Sequence, residues 1–338
     1  MAFKTMGDSG NRIASHAWKG DSHMLDSFGR NINKLRVSLG ESCNMACTYC
    51  VTSIKDHIPD PNALSSSDLL KLVSLLVQHS GITKIRITGG EPLLHRDLLG
   101  FIDGVRQQGV ENIGLTTNGL NLSKLAAPLK EAGLDSVNIS LDSLDAENFR
   151  RLGRAGRLER VLEGIEKALN AGLRIKLNMV VIRGANDHEV VDLLDYAIER
   201  GIELRYLELM RMGPLFQTEK FPLFSMSEIL ELIGKHYTWR KVDTEHDATA
   251  QRYWVPGGYF GIIPNESEPF CSTCSRLRLT SSGQLVGCLS NPAPTSIQHL
   301  LNQQEVASEL NERVAHSIAF KEPVAFTGSN LGMSRIGG

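Results

Sequence analysis

The chain has 338 residues, of which 36 are lysine or arginine and 38 are aspartate or glutamate, so its formal net charge is −2. Hydrophobic residues make up 41% of the sequence and charged residues 22%, which is ordinary for a globular protein and excludes global disorder or a collagen-like fibre. A charge this close to zero argues against bulk nucleic-acid binding but is compatible with a local basic pocket. The length predicts two domains, or one barrel with an extension.

From Lys34 onward, strand-like runs alternate with stretches of helical periodicity, several of which end at glycine. Six such alternations predict a parallel sheet in an α/β fold. We expect an incomplete (βα)6 barrel of the TIM type over residues 34–215, because the unusual residues follow the strands, where barrel loops form the active site. A doubly wound open sheet is the alternative that periodicity leaves open. The predicted strands are 35–39, 84–88, 113–117, 136–141, 174–182 and 203–209, and the predicted helices are 67–78, 96–107, 123–132, 158–171 and 187–200.

The two ends of the chain lack this alternation. Residues 1–33 are polar and aperiodic, and we interpret them as an N-terminal tail or an early strand. We assign residues 216–338 to a C-terminal α+β subdomain that carries half of the cysteines. Its predicted elements are a helix at 225–236, a β hairpin at 253–263 around Pro256-Gly257-Gly258, and a helix at 305–316.

All six cysteines fall in two short groups, rather than being scattered as core cysteines would be. The N-terminus has no apolar run of the secretory kind, and no stretch approaches the roughly 20 apolar residues of a membrane span. We therefore expect a cytoplasmic protein, in which clustered thiols more often bind metal than form disulfides. The groups are Cys43, Cys47 and Cys50, and Cys271, Cys274 and Cys288.

The first group has the spacing C-x3-C-x2-C and follows the first predicted strand. Three thiolates leave one iron of a [4Fe–4S] cube without a protein ligand, so that iron is open to a substrate or cofactor. The alternative is a zinc site completed by a fourth ligand such as His57.

The second group has the spacing C-x2-C-x13-C, which again supplies three thiolates. The zinc alternative is stronger here, because C-x2-C is a common half of a zinc site. On an extended chain, Arg276 and Arg278 share one face, and two guanidinium groups beside a metal centre suit a polyanion such as a triphosphate. Taken alone, they are better explained as solvated surface arginines.

The sequence CNMACTYC at Cys43–Cys50 resembles the radical S-adenosylmethionine superfamily. That resemblance implies that the open iron binds S-adenosylmethionine and that one electron cleaves it to a 5′-deoxyadenosyl radical. It also implies contacts to S-adenosylmethionine from Gly90, within Gly89-Gly90-Glu91-Pro92, and from Ser140. On residue type alone, Ser140 is better explained as a turn residue and Met210 as a core residue. The implied S-adenosylmethionine contacts are Tyr49, Gly90, Ser140 and Met210.

The combination of KIRITGGEP, LTTNG, VNISLD and FCSTCSRLRL with a C-terminal Arg335–Gly338 resembles, from about Lys34 onward, the GTP 3′,8-cyclase family of molybdenum cofactor biosynthesis. The resemblance implies that the radical removes hydrogen from C3′ of GTP and that C3′ then attacks C8. The product would be 3′,8-cyclo-7,8-dihydro-GTP, the first intermediate of the pathway. It further implies a second [4Fe–4S] cluster whose open iron holds the guanine. The implied GTP contacts are Arg36, Lys84, Arg86, Thr116, Lys176, Arg276, Leu277 and Arg278.

The same resemblance implies partners and a role for the C-terminal tail. It implies that the tail enters the active site and brings Arg335 close to the reaction, although terminal fraying would explain the same glycines. The implied partners are a reduced flavodoxin or ferredoxin, a second copy of the chain in a homodimer and, through its product, cyclic pyranopterin monophosphate synthase. No nucleic acid and no membrane are expected. The loop after Cys50 departs from the family pattern, as does the segment after Cys288.

Two other functions compete with this interpretation. One is a different radical S-adenosylmethionine enzyme with an auxiliary cluster, such as one that modifies a peptide, although such enzymes usually carry more cysteines. The other is a zinc-binding protein without enzymatic activity.

Overall fold

A computed structural model describes residues 24–218 and 221–337. Predictions for residues 1–23 and for Gly338 lie outside these ranges. Within them, every helix is too short or too polar to span a bilayer. The strands are β1 Lys34–Ser38, β2 Lys84–Thr88, β3 Asn112–Thr117, β4 Ser136–Ser140, β5 Arg174–Val181, β6 Glu203–Glu208, β7 Arg240–Val242, β8 Gln251–Val255, β9 Gly258–Ile263, β10 Arg276–Leu279, β11 Gln284–Val286 and β12 Thr295–Ser296. The helices are α1 Ser66–Ser80, α2 Leu98–Gln107, α3 Leu122–Glu131, α4 Ala146–Gly153, α5 Leu158–Asn170, α6 Val190–Glu199, α7 Met226–Gly234, α8 Ala307–Ala319 and α9 Met333–Ile336.

The predicted parallel α/β sheet is confirmed. Strands β1 to β6 lie side by side in chain order, and each pairs in parallel with the next. A doubly wound sheet reverses its strand order at a switch point, so the unreversed order excludes that alternative. The six predicted strands match the observed ones to within one residue at either end.

The short helix α4 was not predicted. It has eight residues, too few for a clear helical period. Its N-cap is Asp145, whose side chain accepts a hydrogen bond from the backbone N–H of Asn148. An acidic residue before an otherwise polar stretch is the only start signal that the sequence offers here.

The C-terminal segment contributes strands to both edges of the six-stranded unit. Strand β10 pairs in parallel with β1, and β9 pairs in parallel with β6. The predicted hairpin is confirmed as β8 and β9, which are antiparallel around the turn at Pro256 and Gly257. These pairings satisfy backbone N–H and C=O groups that edge strands would otherwise expose.

Alternation along the strands divides core residues from cavity residues. In β5, Ile175, Leu177 and Met179 are buried in the hydrophobic core. Lys176 and Asn178 point to the opposite face, because successive side chains of a strand alternate. The helices cover the apolar face, so the second face is left to line the interior.

The described part of the N-terminal segment, residues 24–33, packs against the rest of the protein. Met24 and Ile32 are buried, and Leu25 and Asn31 form an isolated antiparallel bridge. Arg30 is also buried, and its Nε lies 2.5 Å from Asp26 Oδ2. The tail interpretation therefore does not hold for residues 24–33.

Candidate active site

Two cavities follow one another along the interior face of the sheet. The first and third residues of a strand face one cavity and the fifth faces the other, as Lys84, Arg86 and Thr88 do on β2. On β4, Ser136 and Ser140 are divided in the same way. We call the cavity at the carboxyl ends, which contains Cys43, Cys47 and Cys50, the cysteine cavity. The one at the amino ends, of about 640 Å³, is the basic cavity.

The cysteine cavity brings together the first cysteine group and the residues expected to bind S-adenosylmethionine. All three cysteines are free thiols and line one space. Burial raises the pKa of Cys43, raises that of Cys47 well above its ordinary value, and raises that of Cys50 to about 11. Thiols held this way become thiolates when a metal supplies the compensating charge. The predicted residues that line the same cavity are Tyr49, Gly90, Ser140, Met210 and Thr116.

Several buried polar atoms around the cysteine cavity have no hydrogen-bond partner among the described residues. They include the hydroxyls of Thr88 and Thr116 and the Nδ1 atom of His57. Native proteins rarely leave such atoms unsatisfied, so the cavity has the polar surface that a bound polar ligand would complete. His57 Nε2 already lies 2.8 Å from the Met45 carbonyl oxygen.

Gly89 and Gly90 are needed for a reason that the sequence did not indicate. A Cβ atom at Gly90 would lie 2.3 Å from the Glu41 carbonyl oxygen and 2.4 Å from that of Ser42. The backbone N–H of Gly90 donates to Gly40 across a distance of 2.7 Å. The close approach is therefore to the backbone of the loop before Cys43, and it fixes that loop against the end of β2.

Glu91 is a cavity residue that received no role in the sequence interpretation. Its carboxylate accepts hydrogen bonds from the backbone N–H groups of Leu93 and Asn118 and from the hydroxyl of Thr117. Burial raises its pKa to about 7 despite these bonds. Asn118 places its side-chain amide 3.8 Å from Cys43 Sγ. Glu91 therefore holds a segment that borders the first cysteine.

Tyr49 is oriented by a buried carboxylate. Its hydroxyl donates to Asp142 Oδ2 at 2.7 Å, and Asp142 Oδ1 accepts from the backbone N–H of Val180 at 2.9 Å. Burial raises the pKa of Asp142 to about 6 and that of Tyr49 well above its ordinary value. The ring is thus fixed along the wall of the cysteine cavity.

The basic cavity contains most of the residues expected to bind GTP. Lys84 and Lys176 lie in the amino-terminal halves of their strands, not at the carboxyl-end mouth. Thr116 lines the cysteine cavity instead. Leu277 is fully buried in the hydrophobic core, so its side chain reaches neither cavity. The predicted residues that line the basic cavity are Arg36, Lys84, Arg86, Lys176 and Arg276.

Four further cations of the basic cavity were missed in the sequence. Alternation could have found two of them, since Lys34 precedes Arg36 by two residues and Arg174 precedes Lys176 by two. Together, nine cationic and three acidic side chains of the described residues line the cavity, so it carries a clear positive excess. The missed residues are Lys34, Arg174, Arg205 and Arg252.

Crowding of these cations, and of Arg278 on the strand beside Arg36, is evident in their pKa values. Burial, followed by the charges of Arg278 and Arg276, holds the pKa of Arg36 well below its ordinary value. Burial and like charges also lower the pKa of Arg86 and of Arg278 to about 10. The Nη1 atom of Arg278 is buried without a partner among the described residues. Such a site favours a polyanion that would relieve the repulsion.

Carboxylates balance only part of this charge. Glu203 lies 2.9 Å from Lys176 and 3.1 Å from Arg205. Asp247, in the loop between β7 and β8, lies 2.6 Å from the ammonium of Lys34. Arg36 and Arg86, deeper in the cavity, have no ion pair among the residues the structure describes.

The second cysteine group adjoins the basic cavity through Arg276, two residues after Cys274. Burial raises the pKa of Cys271 to about 11. Burial alone would also raise the pKa of Cys274, but the charges of Arg276 and Lys321 outweigh it and lower that pKa to about 5. Cys274 is therefore more disposed than Cys271 to be a thiolate.

No three His, Cys, Asp or Glu side chains in the described ranges converge on a point that could hold a single metal ion. A mononuclear zinc site requires such convergence, so the zinc alternative gains no support at either cysteine group. A four-iron cube holds its thiolates at separate corners and does not require it.

The C-terminal tail closes the cysteine cavity but directs Arg335 away from it. Met333 and Ser334 line the cavity, and a Cβ atom at Gly337 would lie 1.7 Å from the Thr88 hydroxyl oxygen. The Arg335 side chain is 64% exposed, and its guanidinium lies 3.9 Å from Asp60. The expectation that Arg335 enters the site is thus not met, because the short helix α9 turns its side chain outward.

Two known protein families match successive parts of the chain. The pattern of the Radical SAM superfamily matches residues 37–197, and that of Molybdenum Cofactor Synthesis C matches residues 202–327. A GTP 3′,8-cyclase of Corynebacterium glutamicum (strain R) is 37% identical over 340 residues, which cover 94% of this chain and 90% of that protein. The chain belongs to the GTP 3′,8-cyclase family. Another member of this family, from Helicobacter pylori, is 39% identical over 269 residues, which cover 79% of this chain and 83% of that protein.

Solved structures outside the GTP 3′,8-cyclase family share the fold. SuiB of Streptococcus suis, bound to its precursor peptide SuiA, superimposes with a TM-score of 0.60 at 14% identity, covering 84% of this chain and 68% of that one. The enzyme anSMEcpe with bound AdoMet gives a TM-score of 0.56 at 15% identity and covers 87% of this chain and 92% of that one. At these identities the likeness concerns the fold alone. It therefore gives no reason to prefer the peptide-modifying alternative.

Proposed function

We propose that this protein is a GTP 3′,8-cyclase, which converts GTP to 3′,8-cyclo-7,8-dihydro-GTP in the first step of molybdenum cofactor biosynthesis. The observation that carries the proposal is that the cysteine cavity and the basic cavity lie along one interior face of the sheet. A substrate that carries a triphosphate at one end and a reacting sugar at the other fits that arrangement.

We assign the first [4Fe–4S] cluster to Cys43, Cys47 and Cys50 and S-adenosylmethionine to the remaining wall of the cysteine cavity. Three free thiols that line one cavity, and hydroxyls at Thr88 and Thr116 that have no partner in the part of the chain the structure describes, fit these groups. When bound, they supply a 5′-deoxyadenosyl radical. The residues proposed to hold S-adenosylmethionine are Tyr49, Gly90, Ser140 and Met210.

The length of the strands matches the length of a nucleotide. From Lys84 to Thr88 the chain advances four residues, or about 13 Å at the rise of an extended strand. The triphosphate would lie against Arg36 and Arg86, where its negative charges relieve the repulsion between buried guanidinium groups. The ribose would then point toward the cysteine cavity.

Asn178 lies where the ribose would be. It follows Lys176, which lines the basic cavity, and precedes Val180, which lines the cysteine cavity, all on one face of β5. Its Oδ1 atom is buried and has no partner among the described residues. An acceptor in this position can orient a sugar hydroxyl and hold C3′ toward the radical source.

With these groups bound, the site would allow the C3′ hydrogen of GTP to be transferred to the 5′-deoxyadenosyl group. Formation of the C3′–C8 bond would then require one electron from the external reductant and one proton to complete the product. The chain contributes binding, orientation and exclusion of water. Exclusion of water is supported by the tail residues Met333 and Ser334, which cover the cysteine cavity.

We assign a second [4Fe–4S] cluster to Cys271, Cys274 and Cys288, with its open iron holding the guanine. The position of Arg276 on the wall of the basic cavity supports this placement. Leu277 can contribute only backbone groups, since its side chain is buried. The proposed GTP contacts remain Arg36, Lys84, Arg86, Thr116, Lys176, Arg276, Leu277 and Arg278.

The proposal extends to architecture and partners. We infer that the six βα units, in unreversed order, curve into an incomplete barrel around the two cavities, with residues 216–338 as the subdomain that carries the second cluster. We further propose a cytoplasmic homodimer, reduced by a flavodoxin or ferredoxin, whose product is used by cyclic pyranopterin monophosphate synthase.

Anaerobic incubation with S-adenosylmethionine, a reductant and GTP deuterated at C3′ tests the reaction. We expect GTP-dependent 5′-deoxyadenosine that carries the deuterium, together with a cyclised nucleotide. With unlabelled GTP, the nucleotide product has unchanged mass. Formation of 5′-deoxyadenosine with GTP left intact would contradict the proposal and favour the peptide-modifying alternative. A colourless, zinc-loaded protein would favour the non-enzymatic one.

A substitution of one cysteine separates the roles of the two clusters. We expect Cys288→Ser to retain cleavage of S-adenosylmethionine but to lose cyclisation by at least about a hundredfold, because guanine loses its iron site. Cys43→Ser, the matched control at the first group, should lose cleavage itself. Product analysis by mass spectrometry measures both. Cyclisation at the normal rate in Cys288→Ser would refute the role of the second group.

A further inference from the structure

Lys321 is a buried lysine that the proposed reaction does not use. It follows the end of α8, and only 4% of its surface is exposed. Its Nζ atom lies 3.2 Å from Cys274 Sγ, 2.9 Å from the Arg276 carbonyl oxygen and 3.1 Å from that of Gly287. An ammonium group has three N–H donors, so each is matched by an acceptor and one of the three is a cysteine sulfur.

These three acceptors explain how the Lys321 ammonium can be buried. Burial of an ammonium is costly unless an opposite charge or good hydrogen bonds compensate it. The two carbonyl oxygens supply hydrogen bonds, and the Cys274 sulfur is the third acceptor. Arg276 and Gly287 belong to the segments next to Cys274 and Cys288, so Lys321 also joins the two ends of the thirteen-residue spacing between these cysteines.

The residue after Lys321 completes a frame around the second cysteine group. The backbone N–H of Glu322 donates to Cys288 Sγ at 3.5 Å. Arg30 Nη1 donates to the carbonyl oxygens of Cys271 at 2.6 Å and of Glu322 at 2.9 Å. Thus a single dipeptide, with one arginine from the N-terminal segment, contacts the segments of all three cysteines.

A glycine sets the position of this dipeptide. A Cβ atom at Gly287 would lie 2.1 Å from the Ser317 carbonyl oxygen in the last turn of α8. Because Gly287 has no Cβ atom, α8 can end directly against the residue before Cys288. Lys321, two residues beyond the helix, is thereby held at the sulfur of Cys274.

We propose that Lys321 is a positioning residue for the second iron–sulfur cluster, which donates a hydrogen bond to the sulfur of Cys274 and stabilises the reduced cluster. Hydrogen bonds to ligand sulfur and nearby positive charge are among the factors that set a cluster's potential, and both favour the form with the added electron. This inference rests on the proposed assignment of Cys271, Cys274 and Cys288 as ligands.

Redox titration of the reconstituted holoenzyme, followed by electron paramagnetic resonance, tests the proposal. The signal that changes on addition of S-adenosylmethionine identifies the first cluster, and the one that changes on addition of GTP identifies the second. We expect Lys321→Met to shift the midpoint of the second cluster to more negative potential and to leave the first unchanged. Lys321→Arg, which keeps the charge and N–H donors, should shift it less.

Lys235→Met is the matched control, because the Lys235 side chain on the surface after α7 is 58% exposed and pairs with Glu231. It should shift neither midpoint. An unchanged second midpoint in Lys321→Met, with about eight irons per chain, would overturn the role of Lys321 alone. About four irons in the wild-type protein would overturn the ligand assignment, and the inference with it.

If Lys321→Met loses the second cluster, its midpoint cannot be measured. Lys321→Gln, which keeps an N–H donor without the charge, then tests the proposal. Retention of about eight irons in Lys321→Gln would support a hydrogen bond to the cluster ligand. Equal loss of iron in Lys321→Met, Lys321→Gln and Lys321→Arg would overturn the proposal, because neither the donor nor the charge would then account for it.

Discussion

The absence of one Cβ atom, at Gly114, determines where Arg86 lies. The two residues are neighbours across β2 and β3, and a Cβ atom at Gly114 would lie 2.3 Å from Arg86 Cζ. The guanidinium crosses the neighbouring strand there and donates to the Leu115 carbonyl oxygen at 3.1 Å. Glycine thus contributes to a charged site by leaving space for an arginine.

We expect Gly114→Ala to weaken GTP binding by roughly tenfold, since Arg86 must move and one charge-assisted hydrogen bond is worth about 1.5–3 kcal/mol. The strand should stay intact because the clash is with the end of a flexible side chain. Affinity for S-adenosylmethionine should not change. Calorimetric titration measures both ligands.

The control for this substitution is Gly100→Ala on α2, where an added Cβ atom meets no atom within 4 Å. It should bind GTP as the wild-type protein does. Equal GTP affinity in Gly114→Ala and Gly100→Ala would show that the position of Arg86 is unimportant.

The loop that joins β2 to α2 acts as a support for the loop that follows β1. A Cβ atom at Gly90 would collide with backbone atoms of Glu41 and Ser42, just before Cys43. Backbone atoms cannot move aside as a side chain can. The two loops therefore keep a common geometry, and the cysteine loop depends on the glycine.

Gly90→Ala should consequently displace the cysteine loop and prevent assembly of the first cluster. We expect the iron content to fall from about eight to about four per chain, with the GTP-responsive cluster retained. Iron analysis with electron paramagnetic resonance measures the loss. Full iron content with a normal response to S-adenosylmethionine would refute the dependence.

The start of α7 carries an electrostatic contribution that depends on pH. Glu228 accepts hydrogen bonds from the backbone N–H of Ser225 at 3.0 Å and pairs with Arg183 at 2.7 Å. These partners lower its pKa from 4.5 to about 2, with the Ser225 backbone bond as the largest cause. A carboxylate whose pKa is lower in the folded state stabilises the fold at pH values above its unfolded-state pKa. That stabilisation is lost as the pH falls through the folded-state pKa.

We therefore expect Glu228→Gln to lower the free energy of unfolding by about 1 kcal/mol or less at pH 7, because the side chain is 38% exposed to screening solvent. The difference from wild type should shrink as the pH falls from about 4.5 toward 2. Urea unfolding at several pH values measures it. Glu231→Gln, on the same helix and 70% exposed, is the control and should show no such trend.

At the level of elements, the sequence was sufficient to predict the features that depend on residues close together in the chain. The strands and the cysteine cavity were predicted because alternation, terminal glycines and motif spacing are local. The pairing of β10 with β1 was not predicted, because a four-residue strand carries little information about its partner. Arg205 and Arg252 were missed because the sequence does not show that β9 lies between β6 and β8 and so brings these two side chains to one cavity. The outward turn of Arg335 depends on the few residues of α9.

At the scale of the whole molecule, the sheet is continuous through the predicted domain boundary at 215. Strand β10 covers the outer edge of β1, and β9 covers that of β6. A chain that ends at residue 215 would lack both and would expose two open edges.

We expect a fragment of residues 1–215 to aggregate, whereas the full chain remains dispersed under the same conditions. Size-exclusion chromatography and light scattering measure the difference. A dispersed fragment that unfolds cooperatively would instead support residues 34–215 as an independently folding domain.

The pairing of β1 with β10 also has a consequence during synthesis of the protein. Residues 34 and 276, which are partners in this pairing, are separated by roughly 240 residues. At a translation rate of about 5–20 residues per second, the ribosome needs on the order of 10–50 s to make the partner of β1. For that interval one flank of the nascent sheet has no covering strand, and we expect it to be a site of chaperone attachment in the cell.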